Sequence, residues 1–348
     1  MTLKKPYIVA GPCSVESRQQ LETIVKQLSA LEEVSLIRCG VWKPRTRPGG
    51  FEGLGVTALQ WMAELRQQLP CKVAFACEVA RPEHVDAALH YGIDTVWVGA
   101  RTTANPFLVQ ELSEALRGWE GTVLIKNAPS PDVQLWMGAI ERFHQAGIKN
   151  LIAVHRGFDL YQNDGYRNSP LWEIPIELRR SMPDLPILCD PSHIAGKREP
   201  IAKLSQTAMD LGFDGLMIEV HPDPDNALTD AAQQITTDAL HLLLQTLTIR
   251  STDSGTLDEQ LQLLRSQIDS LDDQLLHILA ARSDKAMQIA QVKAQGNMAV
   301  FQPGRWDSLL HQRMAAADEL GLDKDFVKAL FEKIHSESVR IQTEAIKN

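Results

Sequence analysis

Eight short apolar runs, rich in β-branched residues, alternate with helix-like stretches along about the first two thirds of the chain. The apolar runs lie at Tyr7–Ala10, Ser35–Ile37, Val73–Cys77, Thr95–Val98, Val123–Ile125, Leu151–Val154, Ile187–Cys189 and Leu216–Val220. The helix-like stretches lie at about 18–30, 56–69, 82–91, 106–117, 132–146, 173–181, 200–211 and 229–247. Eight strand–helix units in about 250 residues predict a (β/α)8 barrel, although the periodicity alone also fits a doubly wound open sheet.

Reactive or charged side chains stand at the end of nearly every apolar run, and this placement favours the barrel. They are Cys13, Arg38 with Lys43, Glu78, Arg101, Lys126, Arg156, Asp190 with His193, and Glu219 with His221. The carboxyl ends of barrel strands converge on one mouth, where enzymes of this fold build their active sites. A single one of these residues could be a solvated or paired charge, but eight at equivalent positions indicate an active site.

The composition limits which ligands this mouth could bind. The 348-residue chain has a formal net charge of -9, which argues against a general nucleic-acid binder and makes the cations a local feature. Its five cysteines are odd in number and lack CxxC spacing, which predicts reduced thiols in the cytoplasm. The sequence has no run of 18 apolar residues and no signal-peptide pattern, so we expect no membrane association.

Five of the cations come from four strand ends, so they could surround one ligand that bears both a carboxylate and a phosphate. They are Arg38, Lys43, Arg101, Lys126 and Arg156. Arginine binds such groups with two parallel hydrogen bonds, whereas lysine acts as a point charge. Arg45 and Thr46 follow closely after Lys43 and offer donors to a second phosphate. The pattern therefore predicts two phosphorylated substrates.

A possible metal site is formed by one thiol, one imidazole and two carboxylates from the first, seventh and eighth strand ends and the loop beyond. These residues are Cys13, His193, Glu219 and Asp230. Such a donor set suits a divalent first-row metal with an open position for a substrate carbonyl. Taken singly, the cysteine could be a buried apolar residue and the histidine could simply bond to Asp190.

The chain changes character after the polar run "RSTDSGT", which we interpret as a linker at 251–256 between a domain at 1–250 and a domain at 257–348. Apolar residues spaced by three or four predict one helix of about 39 residues from Leu257, because no breaker appears before Gly296. Two further helices, at about 303–319 and 324–346, are too short to cover its apolar stripe. We therefore expect an all-helical domain whose core is completed by a partner subunit.

Polar side chains interrupt the stripes of these helices. Arg282 and Lys293 fall in line with apolar residues of the long helix, and Ser338 and Gln342 do so on the last one. Buried cations need a counter-charge, which a dianionic ligand would supply. The alternative is that the cations pair with carboxylates such as Asp272 or Glu337, or lie at the edge of the stripe with their charges in water.

The first domain resembles a known enzyme family through a series of specific motifs. "GPCSVES", "KPRT", "GART", "LIKN", "HRG", "DPSHIAGKR" and "IEVHPDPDNALTD" occur in the order and spacing of the 3-deoxy-D-arabino-heptulosonate 7-phosphate (DAHP) synthases. The resemblance covers about residues 6–245 and is to the short microbial branch that shares its ancestry with the 3-deoxy-octulosonate 8-phosphate synthases. It implies condensation of phosphoenolpyruvate with erythrose 4-phosphate in a barrel with one divalent metal ion of the Mn, Co, Fe or Zn class.

The resemblance assigns roles to the residues already singled out. It implies that Cys13, His193, Glu219 and Asp230 bind the metal, and that Arg38, Lys43, Arg101, Lys126 and Arg156 bind phosphoenolpyruvate. It implies that Arg45, Thr46 and Asp190 bind erythrose 4-phosphate, with Lys43 as proton donor to the aldehyde oxygen. The octulosonate synthases usually carry an Asn-Arg-Ser type of run at Pro44–Thr46, so the four-carbon sugar is favoured. Asn127 and Ala128 depart from the Arg-Gly that is common after the strand-five lysine.

Residues 257–348 resemble the all-helical dimeric chorismate mutases through "LLRSQIDSLDDQLLHILAARSDKAMQIAQVK" and "FEKIHSESVRIQ". The resemblance implies that chorismate is bound by Arg265 of a partner chain and by Arg282, Lys293, Arg305, Ser338 and Gln342. Lys293 and Gln342 would stabilise the charge that grows on the ether oxygen. Trp306 stands where a glutamate is usual and Gln302 where an aspartate is frequent.

The combined expectation is a cytoplasmic bifunctional enzyme of aromatic amino acid biosynthesis, a homodimer or larger oligomer that binds small phosphorylated substrates and chorismate. Alternatively, the tail is a non-catalytic module for dimerisation and effector binding, or the barrel is similar to that of a 3-deoxy-octulosonate 8-phosphate synthase. The barrel is expected to begin at Tyr7 with no preceding sensor, so feedback by prephenate or chorismate would act through the helical domain.

Overall fold

The computed structural model describes residues 3–43, 49–69, 74–160, 165–250 and 258–347. The chain divides into two compact units, Met1–Thr252 and Asp253–Asn348. The linker expected at 251–256 lies outside the described residues.

Eight parallel strands close into a barrel in sequence order, since the first strand pairs with both the second and the eighth. They are β1 Tyr7–Gly11, β2 Val34–Arg38, β3 Phe75–Val79, β4 Thr95–Val98, β5 Thr122–Lys126, β6 Asn150–His155, β7 Ile187–Cys189 and β8 Gly215–Glu219. Each strand overlaps one of the predicted apolar runs. The predicted barrel is therefore confirmed, and the open sheet is excluded.

Ten α-helices accompany the strands in the described part of the first unit. They are α1 Arg18–Ser29, α2 Val56–Gln68, α3 Pro82–His90, α4 Ala100–Thr103, α5 Pro106–Ala115, α6 Val133–Gln145, α7 Glu173–Ser181, α8 Pro191–Ala195, α9 Ile201–Asp210 and α10 Thr237–Thr246. Several begin at a side chain that accepts a hydrogen bond from the first turn, as Ser17 does for α1 and Asp190 for α8. The short helices α4 and α8 were not predicted.

The helix predicted at 229–247 is wrong in its first half. Asp230 has a left-handed backbone with a φ of 46°, a 3-10 turn follows at Ala231–Gln233, and α10 begins only at Thr237. The polar side chains of this segment bond to the barrel mouth, as Gln234 does by accepting from the backbone of Cys13 at 2.9 Å. Hydrogen bonds to distant residues thus replace the helical bonds that local periodicity suggested.

Alternate residues of the strands fill the barrel interior. Every strand contributes to this inner cluster, which contains Val9, Leu36, Ala76, Trp97, Leu124, Ile152, Val154, Leu188 and Met217. A second and larger cluster packs the outer faces of the strands against the helices. The guanidinium of Arg38 lies over the Trp97 ring, 5.0 Å from its centroid, so the packed interior forms the floor of the mouth.

The second unit consists of three helices: α11 Asp258–Gln295, α12 Pro303–Glu319 and α13 Lys324–Lys347. This arrangement confirms the predicted long helix and its two shorter companions. Five apolar side chains of the α11 stripe, namely Leu264, Ile268, Leu271, Leu275 and Ile278, remain 49% to 64% exposed. The companion helices thus leave this stripe uncovered within one chain. No helix among the described residues is long and apolar enough to cross a membrane.

Gly11 allows β1 and β2 to approach closely at the mouth. It has a φ of 149°, and a Cβ atom built at this position would lie 2.1 Å from the carbonyl oxygen of Arg38. Gly118 also has a positive φ, of 73°, but no atom lies within 4 Å of such a Cβ. A side chain at Gly118 would thus meet only the strain of a positive φ, whereas one at Gly11 would also collide with the neighbouring strand.

We expect Gly11→Ala to lower the free energy of barrel unfolding by about 1–3 kcal/mol more than Gly118→Ala, because only the first substitution also forces the strands apart. Urea unfolding followed by tryptophan fluorescence measures this, since six of the seven tryptophans precede residue 251. Equal losses in the two variants would contradict the steric argument.

Candidate active sites

The mouth of the barrel gathers the described residues that the sequence singled out. Arg38, Lys126 and Glu219 end their strands, and Cys13, Lys43, Arg101, Arg156, Asp190, His193 and Asp230 lie in the segments that follow. Arg45 and Thr46, predicted for the second phosphate, lie outside the described residues. The mouth therefore combines several cations with an acidic and thiol-bearing centre.

Three of the four predicted metal ligands come together. The nearest ligand atoms of Cys13, Glu219 and Asp230 all lie within 4.8 Å of one another, and Cys13 Sγ is 3.3 Å from Asp230 Oδ2. His193 stands beside this group, with Nε2 3.7 Å from Glu219 Oε1 and Nδ1 2.8 Å from Asp190 Oδ2. A thiol, an imidazole and two carboxylates thus meet at one point of the mouth.

The charges of this centre fit a bound cation. Burial, together with Glu219 and Asp230, raises the pKa of the Cys13 thiol to about 12, so that the thiol is neutral in the protein alone. Burial acts to raise the pKa of Glu219 as well, but His193, Arg38 and Lys43 hold it below its usual value. A neutral thiol between ionised carboxylates is a donor set that a divalent first-row metal could complete by displacing the thiol proton.

Glu219 is held by two neighbours, each bonded to a different oxygen. Arg38 Nη2 donates to Oε1 at 2.9 Å, and Gln233 Nε2 donates to Oε2 at 2.6 Å. Arg38 is 1% exposed and Glu219 is fully buried. Arg38 Nε and Nη1 are also buried, yet neither has a hydrogen-bond partner among the described residues. Unpaired guanidinium donors next to the metal-ligand group are suited to an anionic ligand.

Lys126 and Asp190 form a second buried ion pair, with Nζ 2.7 Å from Oδ2. The other oxygen of Asp190 accepts from the backbone N–H of His193 at 3.1 Å, which starts α8. Burial acts to raise the pKa of Asp190, but His193 and Lys126 hold it well below its usual value. This ion pair thus joins Lys126, which was predicted to bind phosphoenolpyruvate, to Asp190, which was predicted to bind erythrose 4-phosphate.

Arg156 is positioned by two asparagines that the sequence analysis did not place in the site. Its backbone N–H donates to Asn127 Oδ1 and its Nη1 donates to Asn168 Oδ1, both at 2.8 Å. Asn127 also donates to the carbonyl of Gly157 at 2.8 Å, so this residue, which stands where Arg-Gly is common, bridges the segments that follow β5 and β6. Burial lowers the pKa of Arg156 to about 10, and the positive charge of Arg101 in α4 contributes to this shift.

Further mouth residues were also missed from the sequence. Arg167 Nη1 donates to Asp230 Oδ1 at 3.1 Å and to Gln233 Oε1 at 2.7 Å. Trp42 stacks on His84 with ring centroids 4.0 Å apart, directly before Lys43, whose backbone N–H donates to Glu52 at 2.8 Å. The motif "LIKN" contains Asn127 and was a usable signal, whereas no local pattern marks Arg167 or His84.

In the second unit, four of the predicted residues form two hydrogen-bonded pairs. Arg282 donates to Ser338 Oγ and, at 3.4 Å, to the carbonyl of Ile334. Lys293 donates to Val300 O and, at 3.1 Å, to Gln342 Oε1. Glu337 pairs with Arg340 instead, and no carboxylate among the described residues pairs with Arg282 or Lys293. The proposed pairing of these cations with Asp272 or Glu337 is therefore not found.

Arg265 and Arg305 are exposed and are not hydrogen-bonded to this group. Arg265 precedes Arg282 by 17 residues of one helix, a separation of about 25 Å at 1.5 Å per residue. It therefore cannot join the site of its own chain. Gln302 precedes the first turn of α12, and Trp306 stacks on His335 with ring centroids 4.1 Å apart.

Comparisons with known proteins match both units. Residues 4–253 match the model of the DAHP synthetase I family, and residues 264–343 match chorismate mutase type II. Phospho-2-dehydro-3-deoxyheptonate aldolase of Thermotoga maritima is 31% identical over 238 residues, which are 68% of this chain and 68% of that protein. A 2-dehydro-3-deoxyphosphooctonate aldolase of Desulfotalea psychrophila is 27% identical over 267 residues, covering 69% of this chain and 88% of that one.

Solved structures agree with the sequence matches. The crystal structure of the Thermotoga maritima DAHP synthase has a TM-score of 0.61 at 29% identity and covers 69% of this chain and 67% of that one. Its truncated form has a TM-score of 0.59 at 28% identity and covers 69% of this chain and 84% of that one. The chain belongs to the DAHP synthetase I family and carries a chorismate mutase type II domain after its barrel.

Proposed function

We propose that the barrel condenses phosphoenolpyruvate with erythrose 4-phosphate to give DAHP and phosphate, and that the helical unit converts chorismate to prephenate. The observation that carries the first activity is the meeting of Cys13, Glu219 and Asp230 beside unpaired donors of Arg38. Both substrates of this reaction are phosphate esters, and one carries a carboxylate as well. The two activities are the first step of aromatic amino acid biosynthesis and a later branch step.

Phosphoenolpyruvate would be bound by Arg38, Lys43, Arg101, Lys126 and Arg156. The two buried donors of Arg38 and the guanidinium of Arg156 provide forks for a carboxylate and a phosphate. Erythrose 4-phosphate would take Arg45 and Thr46 for its phosphate and Asp190 for a hydroxyl group. The arrangement would hold two anions with their reactive carbons in contact.

Cys13, His193, Glu219 and Asp230 would hold one divalent ion of the Mn, Co, Fe or Zn class, which when bound supplies Lewis-acid polarisation of the aldehyde. The methylene carbon of phosphoenolpyruvate forms the new bond to the aldehyde carbon, whose oxygen takes a proton. Lys43 would donate it: burial acts to lower the pKa of its ammonium, but the carboxylates of Glu219 and Glu78 keep the group protonated and thus able to supply a proton. Water then adds to the cationic carbon 2 and gives up one proton to solvent, and phosphate leaves as the bond between carbon 2 and its ester oxygen breaks.

In the helical unit, the rearrangement of chorismate needs no nucleophile, because it is unimolecular. Arg282, together with Arg305 and the partner's Arg265, would bind the two carboxylates. Lys293 and Gln342 would stabilise the charge that grows on the ether oxygen. Gln342 Oε1 accepts from Lys293, and the NH2 group of the same amide, which donates to no described residue, would donate to that oxygen.

The site in the helical unit also supports an interlocked homodimer. The exposed stripe of α11 needs an apolar cover, and a second copy of the same helix offers a surface of the same kind. Such a partner would also bring Arg265 to the site that its own chain cannot reach. A tail that served only in dimerisation would not account for Arg282 and Lys293, two half-buried cations that have no carboxylate partner among the described residues.

The cysteines support a reducing, cytoplasmic location. Cys13, Cys39, Cys77 and Cys189 are all buried as free thiols. A thiol among the proposed metal ligands must stay reduced to bind the ion.

We expect Cys13→Ala to abolish condensation and leave chorismate turnover intact, because the two sites share no residue. Cys39→Ala, which removes another fully buried free thiol, is the matched control and should retain condensation. Treatment with a chelator should reproduce the Cys13→Ala phenotype. Metal-stripped Cys13→Ala protein with full condensation activity would refute the proposed metal site.

We expect Arg265→Ala and Arg282→Ala each to lower mutase activity by roughly 100-fold or more, since each removes a positioned charge from the site. Arg340→Ala, which removes an exposed arginine of α13, should leave the activity unchanged. Mixing the two inactive variants should restore part of the activity, because a heterodimer has one site that lacks neither arginine. If proven subunit exchange restores nothing, Arg265 does not come from a partner.

The helical unit also offers a route for feedback on the barrel. If prephenate or chorismate binds the Arg282 and Lys293 site more tightly in one state of the whole protein than in another, it shifts the population toward that state. Couplings of this kind are typically worth about 1–3 kcal/mol and are reciprocal for binding.

We expect prephenate to slow DAHP formation by the intact chain and to have no such effect on Arg282→Ala. Arg340→Ala should respond as the unmodified chain does. Steady-state condensation rates at increasing prephenate concentrations measure the response. An unchanged rate at concentrations that saturate the helical site would reject feedback and leave two independent enzymes in one chain.

A further inference from the structure

The helical unit contains a buried nitrogen without a hydrogen-bond partner among the described residues, Nε2 of His335. His335 lies on α13 three residues before Ser338 and seven before Gln342, so all three occupy one face of that helix. Buried polar atoms are rarely left unpaired, and an unpaired one next to a binding site indicates a group that a ligand completes.

The surroundings of His335 place it at the proposed chorismate site. Its ring stacks on Trp306 with centroids 4.1 Å apart and planes inclined by 20°, and Phe301 lies at 5.8 Å. Burial and the positive charges of Arg282 and Lys293 lower the pKa of its imidazole. A neutral imidazole close to two cations offers a lone pair rather than a third positive charge.

Chorismate has one hydrogen-bond donor, so its site needs an acceptor on the protein for that donor. The dianion has two carboxylates and an ether oxygen, all of which accept, and one ring hydroxyl, which is its only donor. Arg282 and Lys293 have no acceptor atom. Ser338 Oγ already accepts from Arg282 and donates to Ile334 O at 2.8 Å, and Gln342 Oε1 accepts from Lys293 at 3.1 Å. Among these residues, His335 Nε2 is the acceptor that has no hydrogen-bond partner in the described part of the chain, whereas Ser338 Oγ and Gln342 Oε1 each already have one.

We propose that His335 Nε2 accepts the hydrogen bond of the chorismate hydroxyl, with Trp306 holding the plane of the imidazole. This assignment rests on the proposed mutase function and deepens it. It also gives a role to Trp306, which stands where a glutamate is usual in the mutases that the tail resembles. In this chain the acceptor would lie on α13, at His335, which stacks on Trp306 of α12. His335 orients the substrate, and no proton is transferred.

The test compares His335→Phe, which keeps a stacked ring without a nitrogen, with His335→Gln, which returns an acceptor oxygen. We expect His335→Phe to lower kcat/KM for chorismate by about 10-fold to 100-fold, mainly through KM, and His335→Gln to recover part of the loss. His311→Phe, which changes an exposed histidine of α12, is the control and should leave kcat/KM for chorismate unchanged. Circular dichroism and thermal unfolding report whether each variant keeps its helices.

A second substrate gives a sharper readout. For the chorismate analogue in which hydrogen replaces the ring hydroxyl, the unmodified protein and His335→Phe should have equal kcat/KM values. A folded His335→Phe with unchanged kinetics on chorismate, or an equal loss on both substrates, would overturn the assignment to His335 alone. A native chain that neither binds nor converts chorismate would overturn the mutase proposal and this assignment together.

Discussion

The buried carboxylate of Glu219 is the charge around which the barrel mouth is organised. A carboxylate with no exposure to water is costly unless it is both paired and hydrogen-bonded. Arg38 satisfies one oxygen and Gln233 the other, while Cys13, His193 and Asp230 adjoin it. The pairing of β8 with β1, which sets Gly11 opposite Glu219, brings the carboxylate into line with the segment that carries Cys13. Closure of the barrel thus brings the Glu219 carboxylate next to Cys13.

The two units differ in how completely one chain buries their apolar residues, and their sites differ in a related way. The barrel fills its interior from all eight strands, and the described residues of its mouth end those strands or follow them. The helical unit leaves much of the α11 stripe in water, and its long helix separates Arg265 from Arg282. Because the same helix exposes apolar surface and carries a distant arginine, a second chain would complete both the core and the site.

Both sites present positive donors that the chain itself does not pair. In the barrel these are two nitrogens of Arg38, and in the tail they are the charges of Arg282 and Lys293, which have only neutral oxygens as partners among the described residues. In a protein with a net charge of -9, these positive donors are a local feature of the two sites. This shared feature matches the anionic substrates proposed for both units.

The sequence by itself determined the eight strands, the three-helix tail and the places of Cys13 and Glu219 at strand ends, because hydrophobic period and strand ends are local properties of the chain. It did not reveal the partners of those residues. Gln233 and Arg167 hold the mouth carboxylates, Asn127 positions Arg156, and Trp306 faces His335, although none of these relations has a local pattern. The segment from Asp230 to Thr236 reads as helix in isolation but is turned and extended in the fold, since its side chains bond to the mouth. Only the tertiary structure could decide these points, because Cys13 meets Asp230 across 217 positions of sequence and Lys126 meets Asp190 across 64, separations that local periodicity does not encode and barrel closure removes.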